Sequence, residues 1–491
     1  MAALPLDDLQ PWLARAGRCL IGGAWRAAAS GAEIDLVDPS TAEVIAKSAA
    51  GESADIDLAV AAARGAFRAW SRRPAAERGK LLWALSDVLE KHAGEMATIE
   101  TLNAGKPIAD TTQRDVPGAV ATLRYMSGWA DKVGGETVPA TVAGDWHTYT
   151  VREAIGVVGI IVPWNFPLNI AVTHMAAALA AGCTVVLKPA EQTPLSAIRL
   201  CELAEEAGFP PGVINLVTGY GATAGAALAA HPDVDKIAFT GSTQTGRAIV
   251  AAGLGNMKRV TLELGGKSPS IVFPDADLGR AIPGIAGGIF YNTGQVCAAG
   301  SRLYAHKSVF DRVVEGVVSH AEALRVGPGF DPATQTGPLI SAPQRDRVLG
   351  YIESGVGEGA TIATGGCQVG DRGYFVAPTV LVDVASSMKV MREEIFGPVL
   401  CVTRFDDDDF DTIMAEANNS PYGLIAAVWT RDLATAHRAA RELKAGVVRI
   451  NSMARHLSLP FGGFKQSGWG RENGRAGVEA YTELKSVSIA L

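Results

Sequence analysis

Between Gly156 and Gly246, short β-branched apolar runs alternate with segments of helical length, and this alternation restricts the chain to an α/β architecture. GVVGIIVPWNFP opens the series, a helix is expected from about 168 to 181, and TVVLKP follows. A helix over about 196–207, the strand VINLVTG, a helix ending near His231 and the strand KIAFTGS continue it. Strands joined through helices pair in parallel, and ligands collect at their carboxyl ends. Two polar clusters lie there: Trp164 with Asn165, and Lys188 with Glu191. The last strand runs into Gly241-Ser242-Thr243-Gln244-Thr245-Gly246 and then a helix. Glycines at such a turn let a phosphate approach the free N–H groups of the helix, although GxxxxG departs from the GxGxxG fingerprint.

The segment 18–39 reads as a short β region punctuated by glycines, and 59–70 and 75–92 read as amphipathic scaffold helices. From 134 to 153 polar and β-favouring residues alternate as in an exposed strand pair, either a plain surface hairpin or a surface for a partner subunit.

At 491 residues and 48% hydrophobic, the chain has material for more than one core, so two or more domains are expected. A net charge of −7 argues against a nucleic-acid partner. Six cysteines, at 19, 183, 201, 297, 367 and 401, show neither a CxxC pair nor metal-ligand spacing, so no metal and no disulfide framework is expected. With no apolar run of membrane-spanning length and acidic residues near the start, a cytoplasmic protein without a membrane partner is expected.

The chemistry centres on 290–302, FYNTGQVCAAGSR. Gly294, Ala298, Ala299 and Gly300 leave little bulk around Cys297, as a thiolate that must touch a substrate requires. On its own Cys297 reads first as a small core hydrophobe. Glu263 stands inside the apolar run VTLELGG, where burial would raise its pKa toward the range of a general base; a structural network is the other reading.

With these residues the chain resembles the aldehyde dehydrogenase superfamily: VPWNFP (162–167), LKPAEQTP (187–194), FTGS (239–242), LELGGKSP (262–269), GQVCAAGSR (294–302), EEIFGPV (393–399) and PFGGFKQSGWGRE (460–472) stand in the family's order. The NAD-preferring, hydrolytic branch is the nearest resemblance, and phenylacetaldehyde dehydrogenase-like enzymes within it. The resemblance implies oxidation of an aldehyde to the acid: Cys297 as nucleophile, Asn165 in the oxyanion hole, Glu263 as base and Glu472 in a proton path. It implies NAD held by Trp164, Lys188, Glu191, Gly241, Ser242, Gly246, Glu394 and Phe396, with Lys267 as structural support. A carboxylate at Glu191 would repel a 2′-phosphate, favouring NAD over NADP.

It also implies a substrate tunnel walled by Phe166, Ile170, Thr173, Tyr291, Val296 and Phe461, with Arg455 and His456 on the loop SMARHLSLP. These last two either face solvent or pair with an anionic tail, so a semialdehyde stands beside a medium-sized aromatic or aliphatic aldehyde. A non-redox cysteine hydrolase or thioesterase is the alternative of another class. The implied architecture is a Rossmann-like NAD-binding domain (1–131 and 152–262), an α/β catalytic domain (263–465) and a small β oligomerisation flap (132–151 and 478–491) of a homodimer or homotetramer.

Overall fold

The computed structural model describes residues 4–406 and 410–491, so positions 1–3 of the expected NAD-binding segment and 407–409 of the catalytic one lie outside the described residues. Among the described residues two large sheets carry the fold. The first has eight strands, in the order Gly468–Trp469, Arg259–Glu263, Lys236–Thr240, Val157–Ile161, Thr184–Lys188, Ile214–Leu216, Cys19–Ile21 and Ala24–Arg26. Its five central strands are parallel, and antiparallel strands close both edges. The α/β class expected from the alternation is the class observed.

The central strands are rich in β-branched and other apolar residues because both faces of the sheet are covered. Val158, Ile160, Val185 and Leu187 enter one apolar cluster, while Val157, Ile161, Val186 and Phe239 enter another. The period of two along each strand thus feeds two cores. The second sheet has seven strands and repeats the device: Ile271 and Cys401 face one cluster, Val272, Leu400 and Val402 the other.

Chain order decides where a ligand can sit. From Val157–Ile161 the chain moves one way through Thr184–Lys188 and Ile214–Leu216, then returns to the other flank for Lys236–Thr240 and Arg259–Glu263. The crevice at this switch point lies between the loop bearing Trp164 and Asn165 and the turn Gly241–Gly246, which is where doubly wound sheets bind ligands.

The helix expected from 59 begins earlier, at Ser53, because Glu52 and Asp55 form a reciprocal capping box. The strand pair expected within 134–153 is present in short form, an antiparallel bridge of Thr137 with Tyr149 flanked by Thr150 N–H to Glu136 O at 2.8 Å. Only Trp146–Ala154 is a strand, and it pairs along its length with the C-terminal strand Thr482–Ala490. Gly134, Gly135, Pro139 and Gly144 break the ladder before it, leaving scattered bonds such as Val138 N–H to Thr148 O at 3.0 Å. No helix among the described residues is long and apolar enough to cross a membrane.

Arg302, buried at the start of the strand that follows the Cys297 loop, ties that loop to its sheet. It donates to Lys267 O and Ala417 O at 2.8 Å each and to Tyr304 Oη at 3.1 Å. Arg302→Met keeps the stem and deletes these bonds, leaving carbonyls unsatisfied, so a loss of about 2–4 kcal/mol is expected. A lowered thermal unfolding midpoint checks it; an unchanged midpoint would contradict the clamp.

Candidate active site

Cys297 follows three consecutive left-handed residues, Asn292, Thr293 and Gly294, with φ of 49°, 56° and 70°. Two of them are not glycine, a strained conformation that neighbours must hold in place. Asn292 Nδ2 donates to Asn165 O at 3.0 Å, and Thr293 Oγ1 to Gly337 O at 2.9 Å. A side chain on Gly294 would run into the backbone of Gly397. The turn therefore presents Cys297 half-buried, with Val296 and Ala298 half-buried on either side.

Asn165 is buried in the loop after Val157–Ile161, and its Nδ2 donates to Gln295 O at 2.9 Å. Gln295 is itself fixed, accepting from Ile340 N–H at 2.9 Å through Oε1. One amide N–H of Asn165 is thus engaged beside the Cys297 turn, and the amide carries a second.

Glu263 ends its strand, paired in register with Thr240 on one side and Gly468 on the other. It is 3% exposed, and neither carboxylate oxygen has a hydrogen-bond partner among the described residues. Gly462 comes so close that a Cβ there would stand 2.7 Å from Oε1, so only glycine fits over the carboxylate. Burial first, then the charge of Glu472, pushes the Glu263 carboxyl well above its ordinary range, against a smaller pull from Arg471. The Cys297 thiol is pushed up as well, chiefly by burial and next by the charges of Glu263, Glu394 and Glu472; the Ala298 N–H opposes this weakly. Two acids that both resist ionisation lie within electrostatic reach of each other.

Glu472 is fastened by reciprocal backbone bonds to Phe461, 2.8 and 2.7 Å long. Its Oε1 lies 3.0 Å from Nε2 of the buried His174. His174 Nδ1 meets Tyr481 Oη at 2.9 Å, and Nε2 meets Thr240 Oγ1 at 3.1 Å. His174, Gln295 and Gly462 were not singled out from sequence. A lone histidine in an alanine-rich helix was the available signal for the first.

The switch-point crevice carries the groups a dinucleotide requires. Lys188 is buried, with Nζ 3.3 Å from Glu191 Oε2, whose carboxylate remains partly open to accept from hydroxyls. Ser242 caps the helix Thr243–Gly253, accepting from Thr245 N–H at 3.1 Å, so the first turn of that helix offers N–H groups and a positive dipole end to phosphate. Glu394 Oε1 accepts from Gly266 N–H at 2.9 Å, and burial pushes its carboxyl up to about 7. Phe396, at φ 60°, meets Trp164 edge-on at 5.3 Å. Lys267, expected as support, is buried without a partner for Nζ among the described residues.

Of the expected tunnel residues, Phe166 and Tyr291 stack at 6.0 Å, with Lys106 Nζ 4.0 Å above Phe166 and Arg114 5.0 Å from Tyr291. Val296 and Phe461 are half-buried, while Arg455 and His456 are exposed. Ile170 packs against the core of the first sheet. Thr173 is buried, and its hydroxyl donates to Asn169 O at 2.8 Å, the back-bond available to a mid-helix threonine.

The sequence profile described as "Aldehyde dehydrogenase family" matches residues 25–487. An aldehyde dehydrogenase of Enchytraeus buchholzi is 49% identical over 94% of this chain and 93% of its own length. The structure of an aldehyde dehydrogenase from Bacillus cereus in complex with NAD+ superposes with a TM-score of 0.97 at 45% identity, covering both chains completely (100% each). That of the indole-3-acetaldehyde dehydrogenase AldA of P. syringae, in complex with NAD+ and IAA, gives 0.96 at 43% identity over 99% of each chain.

The charges around Cys297 set a pH dependence. Because burial and three carboxylates raise the thiol above its ordinary 9.0, alkylation of the free protein should accelerate only at high pH. Glu263→Gln removes one opposing charge and should move the midpoint down. Iodoacetamide kinetics across pH, with mass spectrometry of the Cys297 peptide, test this; a wild-type midpoint below about 8 would contradict it.

Proposed function

The chain belongs to the aldehyde dehydrogenase family and is an NAD-dependent aldehyde dehydrogenase, and from that premise we propose that Cys297 and Glu263 carry the oxidation of a medium-sized aromatic or aliphatic aldehyde to its acid. The observation that carries the assignment is the buried, unpartnered Glu263 carboxyl acting on the thiol of Cys297.

The resting thiol is neutral, so its proton must leave as Sγ attacks the carbonyl carbon. Glu263, its basicity raised by burial, is a proton acceptor of suitable strength. The developing alkoxide receives the Asn165 amide and the Cys297 backbone N–H, giving a thiohemiacetal. NAD, when bound, supplies the two-electron acceptor that makes this adduct a thioester. Glu263 first passes the thiol's proton on to solvent, then takes a proton from water as hydroxide adds to the acyl carbon, and the Cys297 sulfur leaves with the acid as product. Glu472, held 3.0 Å from His174, is the next proton acceptor in line.

Lys188 and Glu191 are assigned to the adenosine ribose, Gly241, Ser242 and Gly246 to the pyrophosphate, and Glu394, Phe396 and Trp164 to the nicotinamide end. The carboxylate of Glu191 favours NAD over NADP. A cysteine hydrolase without redox chemistry would leave this crevice without a task. The ribbon of Trp146–Ala154 and Thr482–Ala490 exposes Trp146, Leu484 and Ile489. A two-stranded ribbon is marginal alone, which supports its joining a second copy in a homodimer or homotetramer. A cytoplasmic location is part of the same reading.

Glu263→Gln should slow the first turnover of NADH without abolishing it and slow the steady rate more, by roughly 10²–10⁴-fold, the usual contribution of a general base. Stopped-flow absorbance at the NADH band reads both phases; an unchanged steady rate would remove Glu263 from hydrolysis. Cys297→Ala should abolish oxidation and leave NAD binding intact, and retained turnover would remove the nucleophile.

A further inference from the structure

Glu100 is a buried acid that the reaction above does not use. It lies in the helix Ala93–Ala104, whose residues from Met96 onward are all buried. Met96, Ala97, Ile99 and Leu102 of that helix enter an apolar cluster, and the polar residues between them need partners. Two find theirs at the ends of other helices. Glu100 Oε1 accepts from Leu168 N–H at 3.0 Å, in the first turn of the helix Pro167–Ala181. Asn103 Oδ1 accepts from Leu195 N–H at 3.1 Å, at the start of the helix Leu195–Glu206, and its Nδ2 donates to Gln192 O at 2.9 Å. First-turn N–H groups have no acceptor within their own helix. Phe166 and Pro194, which precede the two helices, supply no side-chain cap, so the acceptors come from this third helix.

The loops before those two helices carry Trp164 with Asn165 and Lys188 with Glu191. One buried helix therefore holds the far end of each loop, through Glu100 for the first and Asn103 for the second. Between Asn165 and Leu168 stand only Phe166 and Pro167, and the proline ring fixes its own φ. A displacement of the Leu168 N–H is thus passed to Asn165 with little slack. The same segment abuts the Cys297 turn. Gly105 ends the helix at φ 73°, and a side chain on Gly337 would run into Gly105 O. Gly337 O in turn accepts from Thr293 Oγ1 at 2.9 Å. Just beyond, the buried Lys106 reaches Asp115 Oδ2 at 2.9 Å and stands over Phe166. Burial, opposed by Lys106, carries the Glu100 carboxyl up to about 7, and Oε2 has no hydrogen-bond partner among the described residues. What the side chain supplies is reach, one acceptor carried from its helix to Leu168.

We propose that Glu100 is a positioning residue for the oxyanion hole: by holding Leu168 N–H, it fixes where the Asn165 amide meets the oxygen that forms on the aldehyde carbon. The inference rests on the Cys297 reaction proposed above. Asn103 holds the other loop separately, so Glu100 acts on the chemical step and leaves the dinucleotide in place.

The test separates reach from charge. Glu100→Asp keeps the carboxyl on a shorter side chain, and Glu100→Gln keeps the length and an acceptor without the charge. NADH formation in the first turnover of benzaldehyde is followed by stopped flow for each variant, alone and combined with Asn165→Ala, and NAD affinity is titrated by fluorescence. Glu100→Asp should slow the first turnover roughly 10–100-fold, the usual penalty for misplacing a catalytic group by about 1 Å. Glu100→Gln should stay within about threefold of wild type, and NAD affinity should change no more than that in either variant. In the Asn165→Ala background Glu100→Asp should cost less than about threefold, because residues that act through one another are not additive. Equal slowing with and without Asn165, or a loss of NAD affinity in step with the rate, would overturn the inference by making Glu100 a general support of the fold. Slowing by Glu100→Gln as severe as by Glu100→Asp would overturn it by making charge the requirement. Each of these leaves the Cys297 reaction standing, provided Asn165→Ala alone costs roughly 10²–10³-fold, as loss of an oxyanion donor does. A first turnover indifferent to Asn165→Ala would overturn the oxyanion hole and this inference together.

Discussion

The arrangement depends on one unfavourable interaction, the confinement of the Glu263 carboxyl beside the Cys297 thiol with no hydrogen-bond donor among the described residues. In water each group would ionise at its ordinary pH. Enclosed together, each holds its proton more tightly, and the charges of Glu394 and Glu472 add to the effect. Such destabilisation persists only where the surroundings over-determine it. Here they do: the left-handed turn at 292–294, the Gln295 carbonyl on Asn165, and Gly462 over the carboxylate leave neither group room to move away.

The two sheets divide the labour. The first, through its switch point, places Asn165, Lys188, Ser242 and Glu263 at or just beyond the carboxyl ends of parallel strands. The second delivers Cys297 from the opposite side, in the loop before a strand clamped by Arg302. Cys297 and Glu263 belong to loops and strand ends on different sheets, so their mutual geometry is a tertiary property. The single sequence run around Cys297 does not contain it.

This explains what could be read beforehand. The period-two apolar runs of the parallel strands, the glycine-bearing turn at 241–246 and the acidic residue in VTLELGG are local signals, and the elements and side chains they point to are in place. Local signals misled where the partner is distant. Residues 134–153 read as a strand pair, and Thr137 does bridge Tyr149, yet the longer ladder of Trp146–Ala154 is with the C-terminal strand, which no local signal shows. His174 gave no local signal, because its partners Glu472 and Tyr481 lie about 300 residues away.

The central claim, that the aldehyde is carried as an acyl group on Cys297 and released by Glu263, is tested most directly by trapping that group. Glu263→Gln protein mixed with NAD and benzaldehyde, quenched in acid within one turnover and digested, should yield the Cys297 peptide heavier by one benzoyl group. The adduct should be absent without NAD and from no other cysteine peptide. An unmodified Cys297 peptide after a full equivalent of NADH has formed would contradict the account.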